Sequence, residues 1–232
     1  GGTDIISCFA LGNPTLPVYR GELQCLGLGM SVKSYNPEGK HKLDYKGELV
    51  CDKAFPSMPI YFWNDNENKK YKKAYFVKFP NVWSHGDYIS INQHNGVKIY
   101  GRSDTTLNPG GVRIGTSEIY KVIESIDYID DSLAIGKDFK NDEKIILFVK
   151  LSESKNLTSK IRENIIYKLK TECSPRHVPS YIIQIKDIPY TINGKKVEIA
   201  VKDIINGNIP KNISSLANPE SLNLYKNIDE LV

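Results

Sequence analysis

Apolar positions follow two different periods along this chain. Between residues 17 and 50 they come in short alternating runs separated by turns. Residues 21–25, 31–35 and 47–50 each read as a strand, with Asn36-Pro37-Glu38-Gly39 as a turn between two of them. Alternation returns at Ile89-Ser90-Ile91 and at Val97-Lys98-Ile99-Tyr100, and Asn95-Gly96 between them is a strong hairpin signal. Several short strands in succession point to a small β-barrel. Residues 55–79 are rich in proline, aromatics and lysine, so they read as irregular apart from one short helix at 67–75. Trp63 and Trp83 read as packing anchors.

Past residue 104 the spacing lengthens to a helical period mixed with strands. Ile119, Val122, Ile123 and Ile126 share one helical face, and Leu157, Ile161, Ile165 and Leu169 form a second amphipathic stripe that ends before Pro175. Ile145-Ile146-Leu147-Phe148-Val149 reads as a buried strand and residues 181–185 as another. Val197, Val201 and Ile204 mark a final helix stopped by Asn206-Gly207; beyond residue 210 the pattern weakens into a tail that wraps or frays. These stripes are core positions. The fold class is mixed α/β, a β-rich part followed by a compact α+β part.

Composition alters little in this picture. The chain has 232 residues, 40% of them hydrophobic and 25% charged, as expected of a globular protein able to bury a core. Its net charge of +4 helps to hold an anionic nucleotide or coenzyme but is too small to argue for nucleic acid. The basic run at residues 69–78 is interleaved with Tyr71, Tyr75 and Phe76, as on a solvated face with aromatics turned inward. Four scattered cysteines, Cys8, Cys25, Cys51 and Cys173, show no metal-ligand spacing. They read as free, mostly buried thiols in a reducing compartment, with the cytosol as the default. No stretch reaches the ~18–20 apolar residues of a membrane span. The first residue is not methionine, and the chain starts inside what looks like a motif, so a fragment of a longer protein is expected.

The candidate chemistry gathers at residues 83–118. Asp87 lies at the mouth of the first strand of the hairpin and Arg102 just past the end of the second, and in an antiparallel pair these ends meet. A carboxylate there accepts both hydroxyls of a ribose, and a guanidinium fork holds the same sugar or a phosphate. Asp104, the loop Asn108-Pro109-Gly110-Gly111 and Arg113 follow. Ahead of them Gly1-Gly2-Thr3-Asp4 ends a small-residue turn in a hydroxyl suited to phosphate and a carboxylate suited to Mg²⁺. Near the other end, Asn193-Gly194 projects Lys195 outward from a loop, while the adjacent Lys196 must point elsewhere. On residue types alone, a surface hairpin with ordinary charged ends and a solvated turn lysine are the favoured readings. Of the histidines, His85 lines the same site as Asp87 or makes a local hydrogen bond, His177 with Arg176 reaches a phosphate or orders a turn, and His41 and His94 lie in turns.

The order of the motifs adds a resemblance. HGD at 85–87, GRSD at 101–104, NPGGVRIGTSEI at 108–119 and IPYTINGKK at 188–196, preceded by GGTD at 1–4, resemble the closing half of the adenylate-forming ligases, which include the acyl-CoA synthetases. The wording of YRGELQCLGLGMSV, FPNVWSHGDYI, SPRHVPS and IPYTINGKKVEIAVK is similar, within that superfamily, to the acetoacetate–CoA ligases, and the match runs from Gly1 to the tail ANPESL. The resemblance implies the small barrel end of a large N-terminal adenylation domain at residues 1–103 and a mobile C-terminal α+β lid at 104–232, with Asp104 as hinge. It implies Lys195 as the catalytic lysine, Thr3, Asp87, Arg102 and Arg113 as nucleotide-binding residues, Gly111 and Arg176 on the CoA path and Asp4 at Mg²⁺. Relatives often carry glutamate in place of Asp4, and the shorter arm favours contact through water. The implied substrates are acetoacetate, ATP and CoA, with no nucleic-acid partner. The Ser/Thr/Gly-rich phosphate loop of the family is missing from these residues, so the chain alone is not expected to complete adenylation and the remainder of the N-terminal domain is required. Another short-chain acyl-CoA synthetase and a non-catalytic nucleotide-binding module are the alternatives.

Overall fold

The computed structural model describes residues 1–140, 142–210 and 213–231. The chain divides into two compact units, Gly1–Asp104 and Thr105–Val232.

The first unit is built on a four-stranded antiparallel sheet, β3 (Val32–Tyr35), β4 (Gly47–Cys51), β5 (Trp83–Ile91) and β6 (Val97–Arg102), hydrogen-bonded in that order. Ahead of it a two-stranded ribbon pairs β1 (Ala10–Leu11) with β2 (Cys25–Leu26). The sheet is open, because among the described residues β3 does not pair with β6 to close a barrel. A register shift between Glu48 and Val50 on β4 bends the sheet without closing it. The run at 21–25 shrinks to β2, since Gly21 takes a positive φ of 79° and Leu23 pairs singly with Val97. The hairpin is also looser than a two-residue turn: Asn92 N–H donates to the Gly96 carbonyl at 3.0 Å, and Asn95 takes the positive φ. The turn at residues 36–39 forms, with the Gly39 N–H on the Asn36 carbonyl.

Helix α1 (Lys69–Tyr75) packs its aromatic side on the sheet. Trp83 is 1% exposed, ringed by Phe55, Tyr71 and Phe76 and stacked on Tyr75 at 3.6 Å. Trp63, expected as a second anchor, is instead 84% exposed, and Phe62 beside it takes the inward position against Tyr71. The thiols also differ from expectation. All are free, but of them Cys51 alone is fully buried, and Cys8 is exposed.

The second unit is a three-stranded sheet in the order β7 (Ile129–Phe139), β8 (Asp142–Leu151), β9 (Tyr181–Gln184). The antiparallel pair β7–β8 needs only a short link, whereas β9 runs parallel to β8 and is reached through α3 (Ser159–Glu172). Strand β8 is apolar at consecutive positions because both of its faces are buried. Ile145, Leu147 and Val149 meet α3 and α2 (Thr116–Ile123), while Ile146 and Phe148 meet α4 (Glu198–Ile205) and the C-terminal segment. Helix α3 is capped by the Thr158 hydroxyl, which accepts from Ile161 N–H, and buries Ile165 and Leu169. The tail wraps rather than frays: Leu216, Leu222 and Tyr225 are core, with Tyr225 1% exposed.

Candidate functional site

In the first unit the antiparallel register sets Asp87 directly opposite Arg102. Their charged atoms approach to 3.9 Å, and Arg102 forks onto Asp104, Nε–Oδ1 at 3.0 Å and Nη2–Oδ2 at 2.7 Å. The hydrogen bond to Asp104, reinforced by the charges of Asp104, Asp87 and Glu48, raises the Arg102 pKa against the opposing effect of burial. The Asp87 carboxylate makes no hydrogen bond among the described residues, although the side chain is only 19% exposed, so its lone pairs stay available to a diol. On the other side stands His85, 3.7 Å from Asp87. Its Nδ1 accepts the Trp83 indole N–H at 3.3 Å, which leaves the ring proton on Nε2, facing the Gly1 carbonyl at 3.3 Å. Burial lowers the His85 pKa although Asp87 pulls it up.

The N-terminal turn therefore rests on His85 beside the Asp87–Arg102 pair. Thr3 and Asp4 are exposed there, and the Asp4 carboxylate accepts the Tyr75 hydroxyl. No cluster of metal-ligating side chains occurs among the described residues. Asp4 thus offers a single hard oxygen group, suited to a largely hydrated Mg²⁺ rather than to an all-protein cage.

Sequence reasoning missed Glu48. It lies in a strand buried throughout and is 2% exposed itself. One oxygen accepts the Gly86 N–H at 3.1 Å and the Ser103 hydroxyl at 2.9 Å, and the other accepts Lys78 Nζ at 2.5 Å. It fixes the residue before Asp87 and the residue after Arg102 from beneath. A charge inside an otherwise apolar strand was the available signal, because such a charge must be paired.

In the second unit the loop at 108–111 is tied to the start of β8. Asn108 N–H donates to Glu143 and Gly110 N–H to Asp142, each at 2.7 Å. The Gly110 N–H, and after it the backbone N–H of Glu143, which donates to the same Asp142 oxygen at 2.8 Å, hold the Asp142 carboxyl below its usual range, with the charge of Arg176 assisting. Gly110 has φ +58° and lies so near Arg176 that a Cβ would come within 2.5 Å of the guanidinium. Gly111, at φ +79°, has open space where its Cβ would be. Arg176 and the glycine loop are thus neighbours, whereas Arg113 follows the loop as an exposed residue. His177 is held within its turn: Nδ1 is 2.8 Å from Ser174 Oγ and Nε2 3.3 Å from Glu118, whose other oxygen accepts the Gly115 N–H at the start of α2.

Lys195 sits on a turn whose base is an antiparallel bridge between Tyr190 and Lys196. Thr191 N–H donates to the Lys195 carbonyl at 2.8 Å and Gly194, with φ +70°, closes the turn. The Lys195 side chain is exposed, and its Nζ has no partner among the described residues. Lys196 points inward to Glu124, Asp131 and the Ser132 carbonyl. No hydrogen bond or ion pair joins Lys195 to Arg176 or Gly111.

No family model matches the chain. Individual relatives do match. The chain is 52% identical over 231 residues to the acetoacetyl-coenzyme A synthetase of Rhizobium meliloti and 50% identical over 233 residues to that of Gallus gallus, in each case over 100% of this chain. By sequence, the chain belongs with the acetoacetyl-CoA synthetases. It matches their C-terminal part and spans about a third of their length, 36% and 35% of these two. The solved acetoacetyl-CoA synthetase from Streptomyces lividans superposes with a TM-score of 0.89 at 40% identity, over 97% of this chain and 34% of that one. An anthranilate CoA ligase bound to anthranoyl-AMP shares the fold at 18% identity, with a TM-score of 0.69 over 84% of this chain and 37% of its own.

Proposed function

We propose that the protein carrying this chain is an acetoacetate–CoA ligase, using ATP and releasing AMP and pyrophosphate. The observation that carries this is the 52% identity to an acetoacetyl-coenzyme A synthetase along the whole chain. In the first half-reaction an acetoacetate carboxylate oxygen bonds to the α-phosphorus of ATP, and the bond to the bridging oxygen breaks to expel pyrophosphate. In the second, the CoA sulfur bonds to the acyl carbon, the acyl–phosphate bond breaks, AMP leaves and the thiol proton passes to solvent. Both steps need positioning and charge stabilisation more than covalent help.

Within that scheme the carboxylate of Asp87 and the guanidinium of Arg102 hold the ribose, and Thr3 and Arg113 address the phosphates. Lys195 is the catalytic residue: a protonated amine on a projecting turn neutralises charge that builds between the entering carboxylate and the α-phosphate. Gly111 leaves backbone-width room for the pantetheine arm, with Arg176 beside the loop for a CoA phosphate. Asp4 would hold Mg²⁺ directly or through water; the ion supplies charge neutralisation on the phosphates.

Asp104 serves as the hinge between the two half-reactions, with its carboxylate anchored on Arg102 while the following backbone turns. The first unit is then the end of a larger N-terminal adenylation domain and the second its mobile lid. Free thiols suit a cytosolic setting.

The test is pyrophosphate release by the longer protein offered acetate, butyrate, 3-hydroxybutyrate or acetoacetate. Acetoacetate is expected to be preferred. Preference for another of these acids, or no release with any, overturns the assignment. Residues 1–232 alone are expected to release none, and turnover by this chain in isolation would refute the need for upstream residues.

A further inference from the structure

The Lys195 turn is held at both sides of its base by groups that the reaction itself does not use. On one side the tail pairs with the incoming stretch. Ile192 N–H donates to the Ser215 carbonyl at 3.0 Å, Ala217 N–H to the Tyr190 carbonyl at 2.8 Å, and the Asn218 side-chain oxygen accepts the Tyr190 N–H at 2.8 Å. On the other side stands Asp131, at the start of β7, where the register with β8 shifts between Ile129 and Asp131. Such irregularities re-aim side chains, and this one turns Asp131 toward the turn.

Each Asp131 oxygen meets a different stem of the turn. Oδ2 accepts the Tyr190 hydroxyl at 2.8 Å, and Oδ1 accepts Lys196 Nζ at 2.9 Å. Tyr190 and Lys196 are the paired residues that close the turn. Lys196 spends its remaining donors on Glu124 at 2.6 Å and the Ser132 carbonyl at 2.7 Å, with its ammonium 4.2 Å from the centre of the Tyr120 ring. Its side chain is 15% exposed and that of Asp131 18%. Two adjacent lysines therefore have opposite fates, one fully coordinated and one projecting from an exposed tip.

We propose that Asp131, Tyr190 and Lys196 form a clamp that positions Lys195 for adenylation, a proposal that rests on Lys195 being the catalytic lysine. A single carboxylate bridging both stems fixes the width and the direction of the turn. The tip then carries the reactive amine on a short, stiff arm rather than on a freely pivoting loop. Positioning of this kind matters because a displacement of about 1 Å at a reacting group costs on the order of a hundred-fold in rate. Lys196, Tyr190 and Asp131 are positioning residues; none of them touches substrate in this scheme.

The experiment follows the first turnover of pyrophosphate release in the longer protein. Lys196→Met, Lys196→Arg and Tyr190→Phe are each made alone and on the Lys195→Ala background. Lys196→Met is expected to lower kcat for adenylation by roughly ten- to a hundred-fold, with KM for ATP and acetoacetate held within about two-fold. Lys196→Arg recovers part of the loss. Tyr190→Phe, which removes one hydroxyl and keeps the ring, loses rate in the same direction by a smaller factor. On the Lys195→Ala background neither Lys196→Met nor Tyr190→Phe lowers the rate further, because the clamp acts through Lys195.

Losses that multiply with Lys195→Ala overturn the clamp and make these residues merely structural. Full activity in Lys196→Met with a large loss in Lys195→Ala removes the clamp and leaves the catalytic lysine in place. Full activity in Lys195→Ala removes the catalytic assignment, and the clamp falls with it.

Discussion

Truncating Glu48 should unfold the first unit more readily, by an amount that follows from its hydrogen bonds. The carboxylate is 2% exposed and accepts from Gly86 N–H, the Ser103 hydroxyl and Lys78 Nζ. Glu48→Ala strands two of these donors away from water, each at about 1–3 kcal/mol. Lys78 adds little, because its side chain is already 46% exposed and rehydrates. The sum is about 2–6 kcal/mol. Glu48→Gln keeps the volume and one acceptor for Gly86 and Ser103, so its loss is smaller, about 1–2 kcal/mol.

Urea unfolding followed by tryptophan fluorescence reads this directly. The chain has two tryptophans, both in the first unit. Trp63 is already in water, so the signal change belongs to Trp83 leaving its stack on Tyr75. With a urea slope of about 1–3 kcal/mol per molar, a loss of about 3 kcal/mol moves the midpoint down by about 1 M or more. A Glu48→Ala midpoint within about 0.2 M of the parent would refute the reasoning.

Two further perturbations probe other parts of the site. Burial lowers the His85 pKa in the folded state, so below about pH 6.5 the unfolded chain takes up the proton first. The stability linked to neutral His85 is therefore complete above that pH and is lost as pH falls toward the lowered folded value. The Trp83-reported midpoint should drop between pH 7.5 and 5.5, and His85→Gln should flatten that drop; an equal drop in the variant would contradict it. Gly111→Leu places a side chain in the open space above the loop, at the cost of a positive φ. It should raise the KM for CoA while pyrophosphate release from acetoacetate and ATP stays close to normal, and slowed adenylation with an unchanged CoA response would count against a coenzyme path there.

Elements whose identity depends on near neighbours were legible in the sequence. The stripe Ile119, Val122 and Ile123 became the buried face of α2, and consecutive apolar residues at 145–149 became a strand covered on both faces. Asn36 to Gly39 turned as their types require. What escaped depends on distant partners. Glu48 meets Gly86, 38 positions away, and Lys196 meets Glu124, 72 positions away, so no local period reveals either. Trp63 misled for the same reason. An aromatic in an irregular stretch has no periodicity to say which way it faces, and Phe62 took the inward place. The tail hid its packing because Leu222 and Tyr225 lie on a short 3₁₀ turn, too brief to display a helical stripe. No closed barrel is seen among the described residues, and short strands announce a sheet but not whether its edges meet. In the candidate site, the opposition of Asp87 and Arg102 followed from hairpin register, which sequence does encode.

The central claim is that the projecting Lys195 ammonium on the 190–196 turn supplies the charge for adenylation. The most direct measurement is pyrophosphate release in the first turnover of the longer protein with acetoacetate and ATP, comparing the parent with Lys195→Ala. A loss of at least about a hundred-fold in kcat, with little change in the KM for ATP, is predicted for removal of a charge that acts in the transition state. An undiminished first turnover in Lys195→Ala would contradict the account.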